Sequence, residues 1–233
     1  MKHFSNRYIF IFSAIMVVVV ATLLSLAATL LQPAQAKNLE IEKKSNMLES
    51  INIEATPANA EELYSKYINE GFVLNSNGEP VEGVDAFTVV LRNEQRKKPE
   101  QQALPVFRAT AGDGENLIII PVEGKGLWGP IFGYVSLKSD MNTIYGVNFD
   151  HKGETPGLGA EINTSEFESQ FRGKKLFDDN DFISVQVVKG GAREGDIHGV
   201  DAISGGTITS KGLEKMIFDC LKKYNGYLLK NRI

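Results

Sequence analysis

The stretch from Gly124 to Lys138, GKGLWGPIFGYVSLK, decides between two folds. Its first six residues, Gly124-Lys125-Gly126-Leu127-Trp128-Gly129, match GxGxxG, follow an apolar run, and have Asp150 about 20 residues on. In a dinucleotide-binding α/β domain a helix must begin at the third glycine, so that its N-terminus meets the pyrophosphate. Here Pro130 is followed by IFGYVSLK, with β-branched and aromatic residues at near-alternate positions. That pattern is a strand, and the dinucleotide reading fails. What remains is a tight strand connection. Its single tryptophan reads as a packing residue, and also suits an aromatic wall beside exposed backbone.

Working outward, FTVVLR (87–92), VFRATA (106–111) and NLIIIPVE (116–123) read as strands separated by charge and Gly/Pro clusters. IFGYVSLK (131–138) and TIYGVNFD (143–150) flank SDMN, a hairpin signal, and ISVQVVKGG (183–191) reads as a further strand. AEELYSKYINEGF (60–72) reads as a short helix ended by Gly71. TSEFESQFRGKKL (164–176) reads as a helix opened by the capping-box spacing Ser165-x-x-Glu168. From 211 onward Leu213, Met216, Ile217, Cys220, Leu221, Tyr224 and Leu228 form one helical stripe. Cys220 lies on that stripe, so it reads as a small buried apolar residue. The expected fold class is α+β, with mixed strands and a C-terminal amphipathic helix.

A chain of 233 residues holds one good-sized domain, or a domain plus an anchor. A net charge of −4 gives no basic excess, which argues against nucleic acid as a partner. One cysteine excludes an internal disulfide, a CxxC pair and thiolate-bound clusters, and His3, His151 and His198 show no metal-ligand spacing. No metal site is expected, and any redox role needs an organic cofactor. Tyr8 to Leu31 is a run of 24 uncharged residues. At about 1.5 Å per residue it reaches about 36 Å, enough to cross a hydrocarbon core of about 30 Å. Ala34-Gln35-Ala36 resembles a leader cleavage site, but the apolar run exceeds the usual 7–15 residues or so of a leader. The expected organisation is a cytoplasmic tail (1–7), a transmembrane helix (8–31), a juxtamembrane linker with some helical character (32–58) and an exported domain (59–233). A short tail and an export signal alike send the bulk of the chain across the membrane.

Two more loops stand out. HKGETPGLG (151–159) packs three glycines and a proline into a shaped loop in which Glu154 organises the backbone through hydrogen bonds. DAISGGTITS (201–210) precedes the last helix, whose free N–H groups and dipole favour an anion such as phosphate. It lacks GxxxxGK[ST] and GxSxG, so it is neither a nucleotide P-loop nor a hydrolase elbow. Local chemistry leaves two readings open: a phosphate seat, or a plain capped helix.

The run Asp201-Ala-Ile-Ser204-Gly205-Gly206-Thr207 resembles the Asp-x-x-Ser/Thr-Gly-Ala-Thr flavinylation motif of FMN-binding domains, with glycine at 206 in place of the usual alanine. Together with GLWGPIFGY, HKGETPGLG and FRGKKL in this order, the chain is similar to the C-subunit family of sodium-translocating NADH:quinone reductases, from about residue 100 to 225 plus the N-terminal span. The resemblance implies FMN joined to Thr207 through a phosphoester by a flavin transferase that reads Asp201, Ser204, Gly205, Gly206 and Thr207. It implies one flavin wall from Leu127 and Trp128, and another from Glu154, Thr155, Leu158 and Gly159, with Ser204, Gly205, Gly206 and Thr209 beside the cofactor. The capping role then passes to Thr209 or Ser210. The implied function is electron carriage within an inner-membrane complex that oxidises NADH, reduces quinone and exports sodium. No residue of this chain is expected to do acid–base catalysis, and the NADH, quinone and ion sites belong to partner subunits. The main domain would lie in the periplasm, the N-terminus in the cytoplasm. The G subunit of the related Rnf complex is a second resemblance. A rival of another class is an exported domain that binds a phosphorylated ligand non-covalently.

Overall fold

The structure, a computed structural model, describes residues 5–232. The chain divides into two units, residues up to Lys43 and residues from Lys44 onward. The first unit lies within helix α1 (Asn6–Ser50), which among the described residues is the one helix long and apolar enough to cross a membrane. Two of its hydroxyls bond back along the helix: Thr22 donates to the Val18 carbonyl (2.8 Å) and Thr29 to that of Ser25 (2.9 Å). Such back-bonding suits a helix with no water beside it. The helix runs on through Pro33 to Ser50, so much of the stretch read as a linker is regular helix. Met47, Leu48, Ser50 and Ile51 are buried in the second unit.

The second unit is built on a six-stranded antiparallel sheet of order β2-β1-β3-β4-β5-β6. The strands are β1 (Ile68–Leu74), β2 (Pro80–Val81), β3 (Leu104–Thr110), β4 (Asn116–Lys125), β5 (Pro130–Lys138) and β6 (Ile144–His151). Strand alternation sorts the core into two faces. On β4, Leu117 and Ile119 join Phe107, Ala109, Met47, Leu48 and Ile51 on one side. Ile118, Ile120 and Val122 join Phe149, Phe171 and the stripe Leu213, Met216, Ile217, Leu221 of helix α5 (Thr207–Leu221) on the other. Each fully buried large apolar side chain contributes about 1.5–3 kcal/mol. The β5–β6 hairpin forms as expected, its turn held by Asp140, which accepts from the N–H groups of Asn142 and Thr143.

Several local expectations change. Helix α2 (Ala60–Tyr67) stops where Ile68 turns extended, because residues 68–74 pair with β3 and bury Val73 and Leu74. Tertiary pairing outweighs local helical pattern there. FTVVLR is not a strand: Asp85 accepts from the Phe87 N–H (2.9 Å), starting a 3-10 turn (Ala86–Thr88), and helix α3 (Leu91–Glu94) follows. A side chain that bonds the backbone this way diverts the chain from a ladder. Helix α4 (Ser165–Ser169) is capped by Thr164 rather than Ser165, since Glu168 accepts from the Phe149 N–H (2.6 Å) instead of closing a capping box. Two small pairs follow, β7 (Phe177–Asp178) with β8 (Asp181–Phe182), and β9 (Gln186–Val188) parallel to β10 (Gly199–Asp201). Helix α6 (Asn225–Asn231) ends the unit. The architecture is α+β, as expected.

Candidate functional site

The last strand and α5 are joined by Ala202–Gly206. At its entrance Asp201 Oδ1 accepts from the Ala192 N–H (2.7 Å), while its own N–H donates to Gln170 Oε1 (2.7 Å). Gly205 then takes a left-handed conformation (φ +73°), open to glycine at low cost. Leu158 lies over it, since a Cβ there would stand 2.5 Å from Leu158 Cδ2.

α5 starts at Thr207, four residues before the expected position, with Gly206 as its N-cap and no side-chain cap. The expected capping by Thr209 or Ser210 is therefore corrected. The Thr209 hydroxyl donates to Glu154 Oε2 (2.6 Å), and Ser210 Oγ accepts from the Ile203 N–H (3.2 Å). The Ser210 N–H bonds back to the Gly206 carbonyl (2.9 Å). The N–H groups of Thr207, Ile208 and Thr209 precede the intrahelical ladder and point out of the helix end. Thr207 is exposed, whereas Thr209 and Ser210 are buried.

Two loops flank this end. Gly124–Gly129 is a hairpin corner, not a nucleotide fingerprint, closed by the Gly126 N–H on the Gly129 carbonyl (2.8 Å). Leu127 and Trp128 stand exposed on it, Trp128 to 70 %. In the other loop Thr155 is exposed and its carbonyl accepts from the N–H groups of Leu158 and Ala160 (both 3.1 Å). Glu154 is 5 % exposed; its Oε1 accepts from the N–H groups of Trp128 (2.9 Å) and Gly129 (3.3 Å). Burial pushes its carboxyl up, but bonds from Thr209, Trp128 and Gly129 and the pull of His151 outweigh that and hold it below the usual range.

The structure thus brings Trp128, Glu154, Leu158, Gly159 and Gly205 together at the start of α5, while Asp201 bonds at the far end of the turn. Ile208, absent from the sequence-predicted set, adds an exposed apolar side chain next to Thr207. Its signal was legible: an isoleucine one position off the buried stripe Thr209–Leu213–Met216. An exposed hydroxyl and free N–H groups beside exposed Leu127, Trp128, Leu158 and Ile208 fit a ligand with a phosphate and a large apolar ring. Among the described residues no group of three or more His, Cys, Asp or Glu is placed to hold a metal ion. A separate cleft of about 390 Å³, lined by residues such as Asp140, Lys175, Phe177 and Arg232, contains none of these side chains.

Residues 126–222, which contain most of the hairpin corner, the whole 151–159 loop and the turn before α5, match the FMN-binding domain family. The C subunit of the Na(+)-translocating NADH-quinone reductase of Vibrio parahaemolyticus is 35 % identical over 216 residues, covering 84 % of this chain and 83 % of that one. The chain belongs to this C-subunit family. Crystal structures agree with the assignment. The C subunit of the Parabacteroides distasonis reductase superposes with a TM-score of 0.77 at 45 % identity, covering 85 % of this chain and 96 % of its own. Shewanella oneidensis NqrC gives 0.68 at 29 %, covering 82 % and 98 %. In this member of the family, residues 126–129 of the hairpin corner, the 151–159 loop and the start of α5 are all parts of the FMN-binding domain.

Proposed function

We propose that this chain carries covalently bound FMN on Thr207 and passes electrons within a membrane complex that oxidises NADH, reduces quinone and exports sodium. The observation that carries the reading is Thr207, an exposed hydroxyl at the first position of a helix without a side-chain cap. Thr209 and Ser210 are buried and already bonded, which leaves them unsuited to modification. The N–H groups of Thr207, Ile208 and Thr209 hold the phosphate oxygens, and the helix dipole favours the single negative charge of a phosphodiester. Trp128 and Leu127 wall one side of the ring. Leu158, Thr155 and Gly159 wall the other, and Ser204, Gly205 and Gly206 line the approach. FMN, when bound, supplies reversible electron uptake at its isoalloxazine.

Attachment forms a bond between Thr207 Oγ1 and the flavin phosphorus. A flavin dinucleotide is the activated donor: its adenylate leaves as AMP with the bonding pair, and the hydroxyl proton passes to a base of the flavin transferase. The covalent bond prevents loss of the cofactor outside the cytoplasm. Residues 8–31 are proposed to span the inner membrane once, with residues 1–7 cytoplasmic and the main domain periplasmic. Other subunits would hold the NADH, quinone and sodium sites. The test is intact mass of the full-length chain produced with a flavin transferase. Wild type should gain one FMN less one water and keep its colour after hot denaturation; Thr207→Val should gain nothing. An unmodified wild type, or a flavin-bearing Thr207→Val, overturns the proposal, and yellow chromophore released on denaturation favours a non-covalent binder.

A further inference from the structure

Glu154 stands where three separate segments meet. Its Oε1 holds the N–H groups of Trp128 and Gly129, and its Oε2 holds the hydroxyl of Thr209, the third residue of α5. The carboxylate is packed on both sides against chain: a Cβ on Gly126 would stand 2.5 Å from Oε1, and one on Gly159 2.5 Å from Oε2. With three donors in place and 5 % of its surface exposed, the side chain has no face left for a ligand.

We infer that Glu154 is a positioning residue for the flavin: its carboxylate ties the Trp128 wall to the first turn of α5 and sets a fixed negative charge behind the flavin seat, without touching the flavin. The inference rests on the reading of Thr207 as the flavin site. A carboxylate is acceptor-only, so one side chain can gather two backbone donors and a hydroxyl, all charge-assisted. Its bond to Thr209 places it at the positive end of α5, which offsets part of the cost of burying a charge. A neutral amide would suffice as acceptor for the two backbone N–H groups. The charge therefore has a further consequence. Because Glu154 is itself buried, its charge is only partly screened; it opposes the addition of an electron nearby, and so lowers the potential of the flavin.

The test compares Glu154→Gln and Glu154→Ala with wild type, each as the full chain produced with a flavin transferase. Trp128 is the single tryptophan, so fluorescence reports on the wall alone. Glutamine keeps an oxygen for the two N–H groups and turns its NH₂ to Thr209, whose hydroxyl then accepts instead of donating; it removes the charge and reverses that one bond. It should leave flavin mass and Trp128 quenching as in wild type while raising the flavin midpoint potential. Alanine should weaken quenching of Trp128 by the flavin and lower its anisotropy. If it does not fold, Thr209→Val, which breaks only the link to α5, should weaken the same quenching. An unchanged potential in Glu154→Gln overturns the electrostatic role, and unchanged Trp128 signals in Glu154→Ala or Thr209→Val overturn the clamp. Wild type lacking flavin mass would instead remove the reading of Thr207. The clamp then stands or falls on anisotropy in flavin-free protein, lower for Glu154→Ala and unchanged for Glu154→Gln.

Discussion

A Cβ on Gly206 would stand 2.9 Å from Cγ2 of Ile203. The backbone of Gly206 (φ −98°, ψ 29°) is open to other residues, so the restriction comes from a neighbouring side chain. The alanine usual at this point of the flavinylation motif would be overpacked here. Gly206→Ala should cost about 1–2 kcal/mol, seen as a lower urea midpoint, without removing flavin mass from Thr207. Adding Ile203→Leu, which lacks the β-branch, should recover part of the loss. Full stability in the single variant would show that Ile203 yields freely.

Trp128 is the most exposed large side chain of the domain's candidate site, at 70 %. Trp128→Ala should therefore change folding stability by no more than about 0.5 kcal/mol, yet alter the visible spectrum of the flavinylated chain. In wild type, Trp128 emission should be weaker than in Thr207→Val. Equal emission from the two would remove Trp128 from the flavin wall.

Asp201 separates two roles, a turn-holder and a motif residue. An asparagine retains the Oδ1 acceptor for the Ala192 N–H, so Asp201→Asn should leave thermal stability within about 0.5 kcal/mol. Flavin occupancy of Thr207 should fall in the same variant, measured as the modified fraction by intact mass. Full occupancy would confine Asp201 to holding the Gly190–Ala192 turn.

Glu168 gives the domain a pH dependence. Burial, joined by the charges of Glu49 and Asp150 and only partly countered by the Phe149 N–H, pushes its carboxyl up to about 7 from 4.5. The folded state then binds more protons than the unfolded chain across that window, so stability falls as pH rises through it. Glu49, also raised by burial and by Asp150 and Glu54, adds the same sign. Glu154 has the opposite one: held low, it contributes stability that is lost only as pH falls through its folded value. Urea midpoints from pH about 5 to about 8 should decline for wild type and flatten for Glu168→Gln. Parallel slopes refute the assignment.

Elements that carry their own local pattern were legible in the chain: the unbroken apolar run Leu117–Val122 of β4, the β5–β6 hairpin and the stripe of α5. Elements decided by a distant partner were not. Residues 68–71 look like the end of a helix until paired with β3, and Glu168 looks like a cap until the Phe149 N–H claims it. The start of α5 escaped notice because no capping hydroxyl marks it; the helix begins where Gly205 and Gly206 end the turn. Thr207 stood out through its motif. The Glu154 clamp did not, since its bonds reach 26 and 55 residues along the chain, beyond any local spacing rule.

Ser50, the last residue of α1, has its hydroxyl 2.8 Å from that of Ser136 in β5, and both side chains are wholly buried. With Met47, Leu48 and Ile51 it closes one face of the sheet. This bears on where the chain can be cut. Truncation at residue 59, where hydropathy and prolines suggest a boundary, would strip that face of three large apolar side chains. At about 1.5–3 kcal/mol each, their loss is comparable with the whole net stability of a domain. A cut before Lys44, or processing after Ala36, spares all of them. A soluble, refoldable form of this protein thus has to carry the last turns of α1 with it.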